Sequence, residues 1–226
     1  MSLTRAQILK WDTGNWAAAL DFWERYAGLH GALDCLEVGA HEGGLSVWLA
    51  SRGHRVLCSD VEDCEALARP LVERVGLIDR IAFEDIDATA IPYENRFDII
   101  AFKSVLGAVG RQGAINRQRA AIGSMHRALR PGGRLLFAEN LVGSPMHQYL
   151  RSRFAETGGH WRYVTIEEMR DFLRNFCDIK CSTGGVLGTL GRSELQRRML
   201  AAIDRTICNA VVPPAWRYIF YGVATK

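Results

Sequence analysis

An apolar run over residues 33–38 stops at Gly39, and Gly43 and Gly44 follow before a helical pattern that continues to about Ser51. This strand, glycine turn and helix limit the fold more than any other feature of the chain. Glycine is needed where backbone must come close to a ligand or to other backbone. The first strand-to-helix turn of an open parallel sheet is also where nucleotide-like ligands bind.

The rest of the chain repeats the alternation. Strand patterns fall at 55–60, 80–86, 97–102, 134–138 and 177–183, with an alternating aromatic one at 216–224. Helical patterns fill 64–75, 112–129, 144–157 and 165–175, and a helical stretch with Trp11, Trp16 and Trp23 runs to about His30. Arg130-Pro131-Gly132-Gly133 reads as a helix stop. The order predicts a single α/β domain over 1–226, with a doubly wound, mostly parallel seven-stranded sheet. Its last strand is antiparallel and helices cover both faces. A helical N-terminal extension occupies 1–31 and a helical insertion 184–212. In the insertion Leu195, Met199, Ile203, Ile207 and Val211 recur every fourth residue, joined by Leu200. This stripe is expected to pack on the body of the same protein, with a dimer interface or a membrane surface as alternatives.

A chain of 226 residues, 48% hydrophobic and 23% charged, can bury a core and is neither disordered nor fibrous. No apolar run approaches the roughly 18 residues of a membrane span. Residues 1–10 show no apolar core followed by a cleavage site, so a cytoplasmic protein is expected. None of the six cysteines forms a C-x-x-C pair. Cys35 and Cys58 fall in strand patterns and are expected as small buried hydrophobes, and no metal site is expected. The net charge of +3 hides an asymmetry: residues 1–110 carry 10 Lys/Arg and 17 Asp/Glu, residues 111–226 carry 18 and 8. Solvated helix faces account for this, and a basic surface for an anionic substrate or membrane is the alternative.

The turn itself reads Leu36-Glu37-Val38-Gly39-Ala40-His41-Glu42-Gly43-Gly44. It lacks the G-x-G-x-x-G spacing that a pyrophosphate needs, so NAD is not expected. The E-x-G-x-x-x-G turn instead resembles motif I of class I S-adenosylmethionine-dependent methyltransferases, a Rossmann-like family of transferases. The resemblance continues to about Asn140. Asp60 matches the acid that binds the ribose. Asp85-Ile86-Asp87-Ala88 matches the turn that meets the adenine. Phe97-Asp98-Ile99-Ile100 matches the start of the fourth strand, and Leu129-Arg130-Pro131-Gly132-Gly133-Arg134-Leu135-Leu136 the approach to the fifth. The resemblance implies S-adenosyl-L-methionine as cofactor. It implies contacts from Glu37, Gly39, Ala40, His41, Gly43, Asp60, Val61, Asp87, Ala88, Lys103 and Ser104.

The same resemblance puts the chemistry beyond the ends of strands four and five, here Lys103-Ser104 and Glu139-Asn140. The family's [D/N/S]-P-P-[Y/W] motif for nitrogen methylation is replaced by Lys103-Ser104-Val105-Leu106. No cysteine stands there for pyrimidine carbon methylation, and the K-D-K-E set of ribose methylation is not matched. By elimination the expected acceptor is an oxygen of a saccharide, a lipid-linked saccharide or another small molecule. Residues 102–107, 137–141 and Gly222-Val223-Ala224 resemble methyltransferases of surface-polysaccharide synthesis. The alternatives are an RNA-directed methyltransferase using the basic half and a non-enzymatic cofactor-binding partner protein. His147, Lys103 and Glu139 are the candidate catalytic residues, His147 as base, with His160 a further candidate base. Arg151, Arg153 and Arg162 would meet an anionic substrate. Trp11 and Trp16 would close over the cofactor or pack on the sheet. A small-molecule or glycan acceptor is the expected partner. DNA is not expected, and peripheral membrane contact and oligomerisation stay open.

Overall fold

The computed structural model describes residues 3–154 and 160–226. The chain begins with α1 (Arg5–Leu9), α2 (Thr13–Tyr26), β1 (Asp34–Val38), α3 (Gly44–Ala50), β2 (Arg55–Asp60), α4 (Cys64–Val75) and β3 (Ile81–Asp85). It continues with β4 (Phe97–Lys103), α5 (Leu106–Val109), α6 (Ile115–Ala128), β5 (Leu129–Asn140), α7 (Pro145–Phe154) and α8 (Ile166–Phe172). It closes with β6 (Cys177–Gly184), α9 (Glu194–Ile203), α10 (Asn209–Val211) and β7 (Ile219–Thr225). The expected helix over 144–157 is α7, and its remainder from residue 155 lies outside the described residues.

The sheet has seven strands in the order β3-β2-β1-β4-β5-β7-β6. Strands β1 to β5 run parallel, and β7 enters antiparallel between β5 and β6. Successive side chains of a strand point to opposite faces, and here both faces are apolar. Cys35, Ile99 and Ala101 join the core under α1 to α4, while Leu36, Ile100 and Phe102 join the core under α6 and α8. That is why the strand patterns read as continuous apolar runs.

Two local expectations change, and the burial expected of Cys35 and Cys58 holds. Arg130-Pro131-Gly132-Gly133 is a bulge inside β5 and not a gap before it, because pairing with β4 starts at Phe97↔Leu129 and resumes at Ile99↔Arg134. Arg130 pins the bulge by donating to Asp98 at 2.7 Å and Asp34 at 3.0 Å. Cys35, Cys58 and Cys64 are buried, whereas Cys177 and Cys181 are exposed on β6. The α9 stripe does not pack on the body: Leu195 is 68%, Met199 64%, Ile207 58% and Val211 73% exposed. The body is met instead by the opposite side of α9, where Gly14 leaves no room for a Cβ beside Ala201, at 2.5 Å.

Candidate active site at the strand ends

Strands β1, β2 and β4 are neighbours, so the ends of all three share one edge of the sheet. Glu37 faces into that edge without reaching solvent. Its carboxylate accepts the Leu45 N–H at 3.1 Å and the Ser46 N–H at 2.6 Å, which satisfies the free donors at the start of α3. Burial pushes its pKa up to about 7 against the pull of these donors. Glu37 therefore builds the turn by holding the start of α3. Gly39 has φ +67, and a Cβ there would lie 2.5 Å from Val105 Cγ2. Gly44 is as constrained, with Ile8 O at 2.1 Å from any added Cβ. The α1 segment thus lies directly on the turn, and the Lys10–Glu42 ion pair ties it there.

Asp60 ends β2. It accepts the His41 N–H at 2.7 Å on Oδ2 and the Val61 N–H at 2.7 Å on Oδ1. Each carboxylate oxygen has capacity for a further hydrogen bond. His41 adopts a left-handed φ of 48, which aims its N–H at Asp60. Val61 stands 63% exposed beside the acid. Asp87 is engaged by its own turn, accepting from Thr89 N and Oγ1 at 2.8 Å, and Arg117 lies 3.3 Å from its other oxygen. Ala88 is buried behind it. Ala40 donates to Ser59 O at 2.9 Å, which joins the turn to β2.

At the end of β4, Ser104 has a left-handed φ of 58, a conformation that costs free energy for a non-glycine residue and clusters at functional sites. Its Oγ accepts Asn140 Nδ2 at 2.9 Å. Lys103 is half-buried, with Nζ 4.7 Å from the Trp16 ring centroid. Burial pushes its pKa below the usual lysine range, opposed by the fields of Glu139, Glu37 and Asp12. Among the described residues it forms no ion pair.

The other two catalytic candidates are already occupied. Glu139 is fully buried, accepting Leu106 N–H at 2.7 Å and Asn140 N–H at 2.8 Å, and burial pushes it up to about 7. It holds the turn after β4 in place. His147 is 1% exposed, with Nε2 donating to Val186 O at 2.7 Å and Nδ1 accepting Ser144 N–H at 3.0 Å. Both ring nitrogens are spent on loop structure, so His147 is poorly placed to take a proton. His160 is exposed. Arg162 is bound by Glu168 and Gln118, and Arg153 sits at the surface over Tyr149. Arg151 is the arginine directed inward: it stacks on Tyr163 at 3.8 Å and donates to Leu141 O and Val142 O. Trp16 is buried, whereas Trp11 is 37% exposed under Arg197.

A buried polar network beneath Lys103 carried no sequence signal. Asp12 accepts from the Tyr218 hydroxyl, and burial pushes its pKa up to about 6. Asn15 donates to Tyr218 Oη at 2.9 Å and to Asp204 at 3.0 Å. Asp204 in turn accepts the N–H groups of Val186 at 3.0 Å, Leu187 at 2.9 Å and Gly188 at 3.2 Å. These partners come from opposite ends of the chain, so no local motif could reveal them. The indole N–H groups of Trp16 and Trp161 are buried without a partner among the described residues.

The comparisons with known proteins agree with this geometry. Residues 36–137 match the family model described as a methyltransferase domain. The ubiquinone/menaquinone biosynthesis C-methyltransferase UbiE of Shewanella baltica is 27% identical over 139 residues, 58% of this chain and 52% of the relative. The chain thus spans about half the length of the curated relatives it matches. Phosphoethanolamine N-methyltransferase 2 of Haemonchus contortus, solved with S-adenosyl-L-methionine, superimposes with TM-score 0.67 at 18% identity, covering 93% of this chain and 52% of that one. A SAM-dependent methyltransferase from Aquifex aeolicus covers 99% of this chain and 93% of its own, with TM-score 0.59 at 14% identity. At such identities the structural likeness is one of fold. Residues 36–137 are thus similar to a methyltransferase domain, and the strand order is the fold shared with solved S-adenosylmethionine-dependent methyltransferases.

Proposed function

We propose that the protein transfers a methyl group from S-adenosylmethionine to an ionisable oxygen of a small molecule. The acceptor class we favour is a hydroxylated small metabolite, a saccharide or a lipid-linked saccharide. The residues present fit the cofactor. Gly39 lacks the Cβ that would fill the turn, Asp60 keeps acceptor capacity for two ribose hydroxyls, and Ala88 with the Asp87 turn borders the adenine position. The buried, unpartnered Trp16 N–H offers a donor near the reactive end. When bound, the cofactor supplies an electrophilic methyl group on a sulfonium.

One observation carries the choice of oxygen: at the end of β4 the half-buried Lys103 places Nζ 4.7 Å from the Trp16 ring centroid, with no ion-pair partner among the described residues. Burial disfavours the charged amine, so Lys103 gives up its proton more readily than a solvated lysine. It can take the hydroxyl proton and then hold the oxyanion. General-base assistance is worth roughly 10²–10⁴-fold. Glu139, Ser104 and Asn140 fix the two strand ends around it, and holding acceptor and methyl in line can supply roughly 7–11 kcal/mol.

The relatives' printed C-methyltransferase activity supports a second reading. A phenolate generated by the same lysine would direct the methyl to an adjacent ring carbon, and the proton on that carbon would then leave as the ring becomes aromatic again and the oxygen is reprotonated. Labelled methyl transfer to a panel of saccharides, phenols and lipid-linked acceptors, with NMR of the product, separates oxygen from carbon methylation. Lys103→Gln should lower turnover by roughly 10²–10⁴-fold, with S-adenosylhomocysteine affinity within about twofold. A variant with unchanged turnover on every acceptor would remove Lys103 from the chemistry.

A further inference from the structure

We propose that the outer face of α9 and α10 docks the protein on the surface of an anionic phospholipid bilayer. Leu195, Met199, Ile203, Ile207 and Val211 form an apolar line along this face, each 42% exposed or more. Side chains four apart drift by about 40° per step on an ideal α-helix, so five of them would wind well round the axis. Here a π-helical turn at Asp204–Cys208 interrupts the helix. A wider turn reverses the drift, and the line stays on the solvent side. Such π turns are rare and concentrate at functional positions. Among the described residues the inward contacts of this element are made by Ala201 and Asp204, on the other side from the exposed line.

Charge selects the occupant. Arg192, Arg198 and Arg205 are exposed along this element, and Arg192 and Arg198 have no ion-pair partner among the described residues. Between residues 185 and 217 the carboxylates are Glu194 and Asp204. Glu194 accepts the Thr13 N–H at 2.8 Å and Asp204 is buried, so neither neutralises the outer face. A groove of about 750 Å³ opens beside the apolar line, with Thr4, Arg5, Leu195, Arg198, Met199 and Arg205 on its walls, and could receive a phosphate headgroup. Trp216 follows Pro213-Pro214 at 52% exposure, an amphipathic ring of the kind found at lipid–water boundaries. An apolar face flanked by arginines is the pattern of an interfacial helix. A second copy of the chain packed by twofold symmetry would bring the same arginines together with no carboxylate to meet them. A lipid surface supplies the missing negative charge.

Co-sedimentation with vesicles tests this on the full chain. The protein should pellet with phosphatidylglycerol/phosphatidylcholine vesicles, bind phosphatidylcholine alone at least tenfold less, and be released as salt is raised. Met199→Glu with Ile203→Glu should weaken binding more than tenfold while leaving thermal stability and S-adenosylhomocysteine affinity unchanged, because both residues face solvent. Arg192→Glu with Arg198→Glu should do the same through charge alone. No binding to the anionic vesicles, or equal binding by both double variants, would overturn the proposal. So would light scattering that finds a dimer dissolved by the Met199→Glu/Ile203→Glu change, which would mark this face as a self-association surface.

Discussion

Lys103 Nζ lies 4.7 Å from the centroid of the Trp16 ring, so a residue of α2 sets the environment of the amine at the end of β4. The largest cause of the depressed lysine pKa is burial. Trp16→Leu removes ring bulk and admits water; relief of the burial that dominates the shift outweighs the lost attraction of the ring for the cation, so that pKa rises. The rate-against-pH profile should rise at higher pH in the variant than in the parent, with the plateau reached later. An unmoved profile in a folded variant would show that the rising limb belongs to another group.

Asp60 is held by two backbone donors and still has room for more. Asp60→Ala should weaken S-adenosylhomocysteine binding by tenfold to a hundredfold, from roughly 1.5–3 kcal/mol per hydrogen bond to a charged group. Isothermal calorimetry measures it directly. Asp60→Asn should lie between, since one side-chain oxygen remains to accept.

Gly44→Ala tests whether α1 is seated on the cofactor turn. The added Cβ meets the Ile8 carbonyl oxygen at 2.1 Å, and backbone cannot rotate away as a side chain can. Overpacking of this kind costs roughly 1–3 kcal/mol, more than the up to about 1 kcal/mol gained by replacing glycine in a helix. A fall of several degrees in Tm, with weaker cofactor binding, is expected. An unchanged Tm would mean that α1 lifts off freely.

Glu139 gives a pH signature. Its folded pKa is raised from 4.5 to about 7, mainly by burial. The folded state therefore holds the proton more tightly than the unfolded state. The resulting stability is complete below about pH 4.5 and is lost as pH rises through about 7. In Glu139→Gln this loss disappears. The stability difference between variant and parent should move in the variant's favour by roughly 3 kcal/mol from pH 4 to pH 8, read by denaturant unfolding. A constant difference across that range would show that Glu139 stays ionised, held so by its backbone donors and by Lys103.

The sequence made the sheet and the cofactor turn legible because both rest on local chemistry. Glycines at fixed spacing, an acid at the end of β2 and apolar runs at every buried strand are all written within a few residues of where they act. The turn's acid could be located but not assigned its job: only the bonds to Leu45 and Ser46 show that Glu37 serves α3. The reactive end was less legible. His147 looks like a base in a local reading, and the carbonyl that occupies its Nε2, Val186 O, is 39 positions away. The Asp12–Tyr218 contact spans 206 positions, beyond any spacing argument. The α9 stripe followed the ordinary rule that apolar faces are buried, and the structure shows it turned outward.

The position of β7 has a consequence for how the molecule is made. This strand comes last of the seven in sequence yet lies inside the sheet, between β5 and β6. As the chain leaves the ribosome, β6 is complete before the strand it must pair with has been synthesised. Until then the exposed edge of β5 and the free β6 are both open to pairing with other chains. The bonds of Asn15 and Asp12 to Tyr218 close the long loop only when that strand arrives, so the surroundings of Lys103 assemble at the end of folding. A nascent chain stalled before β7 would carry the glycine turn and Asp60 but not the finished surroundings of Lys103. Cofactor capture and catalytic competence would then be acquired as separate events during biosynthesis.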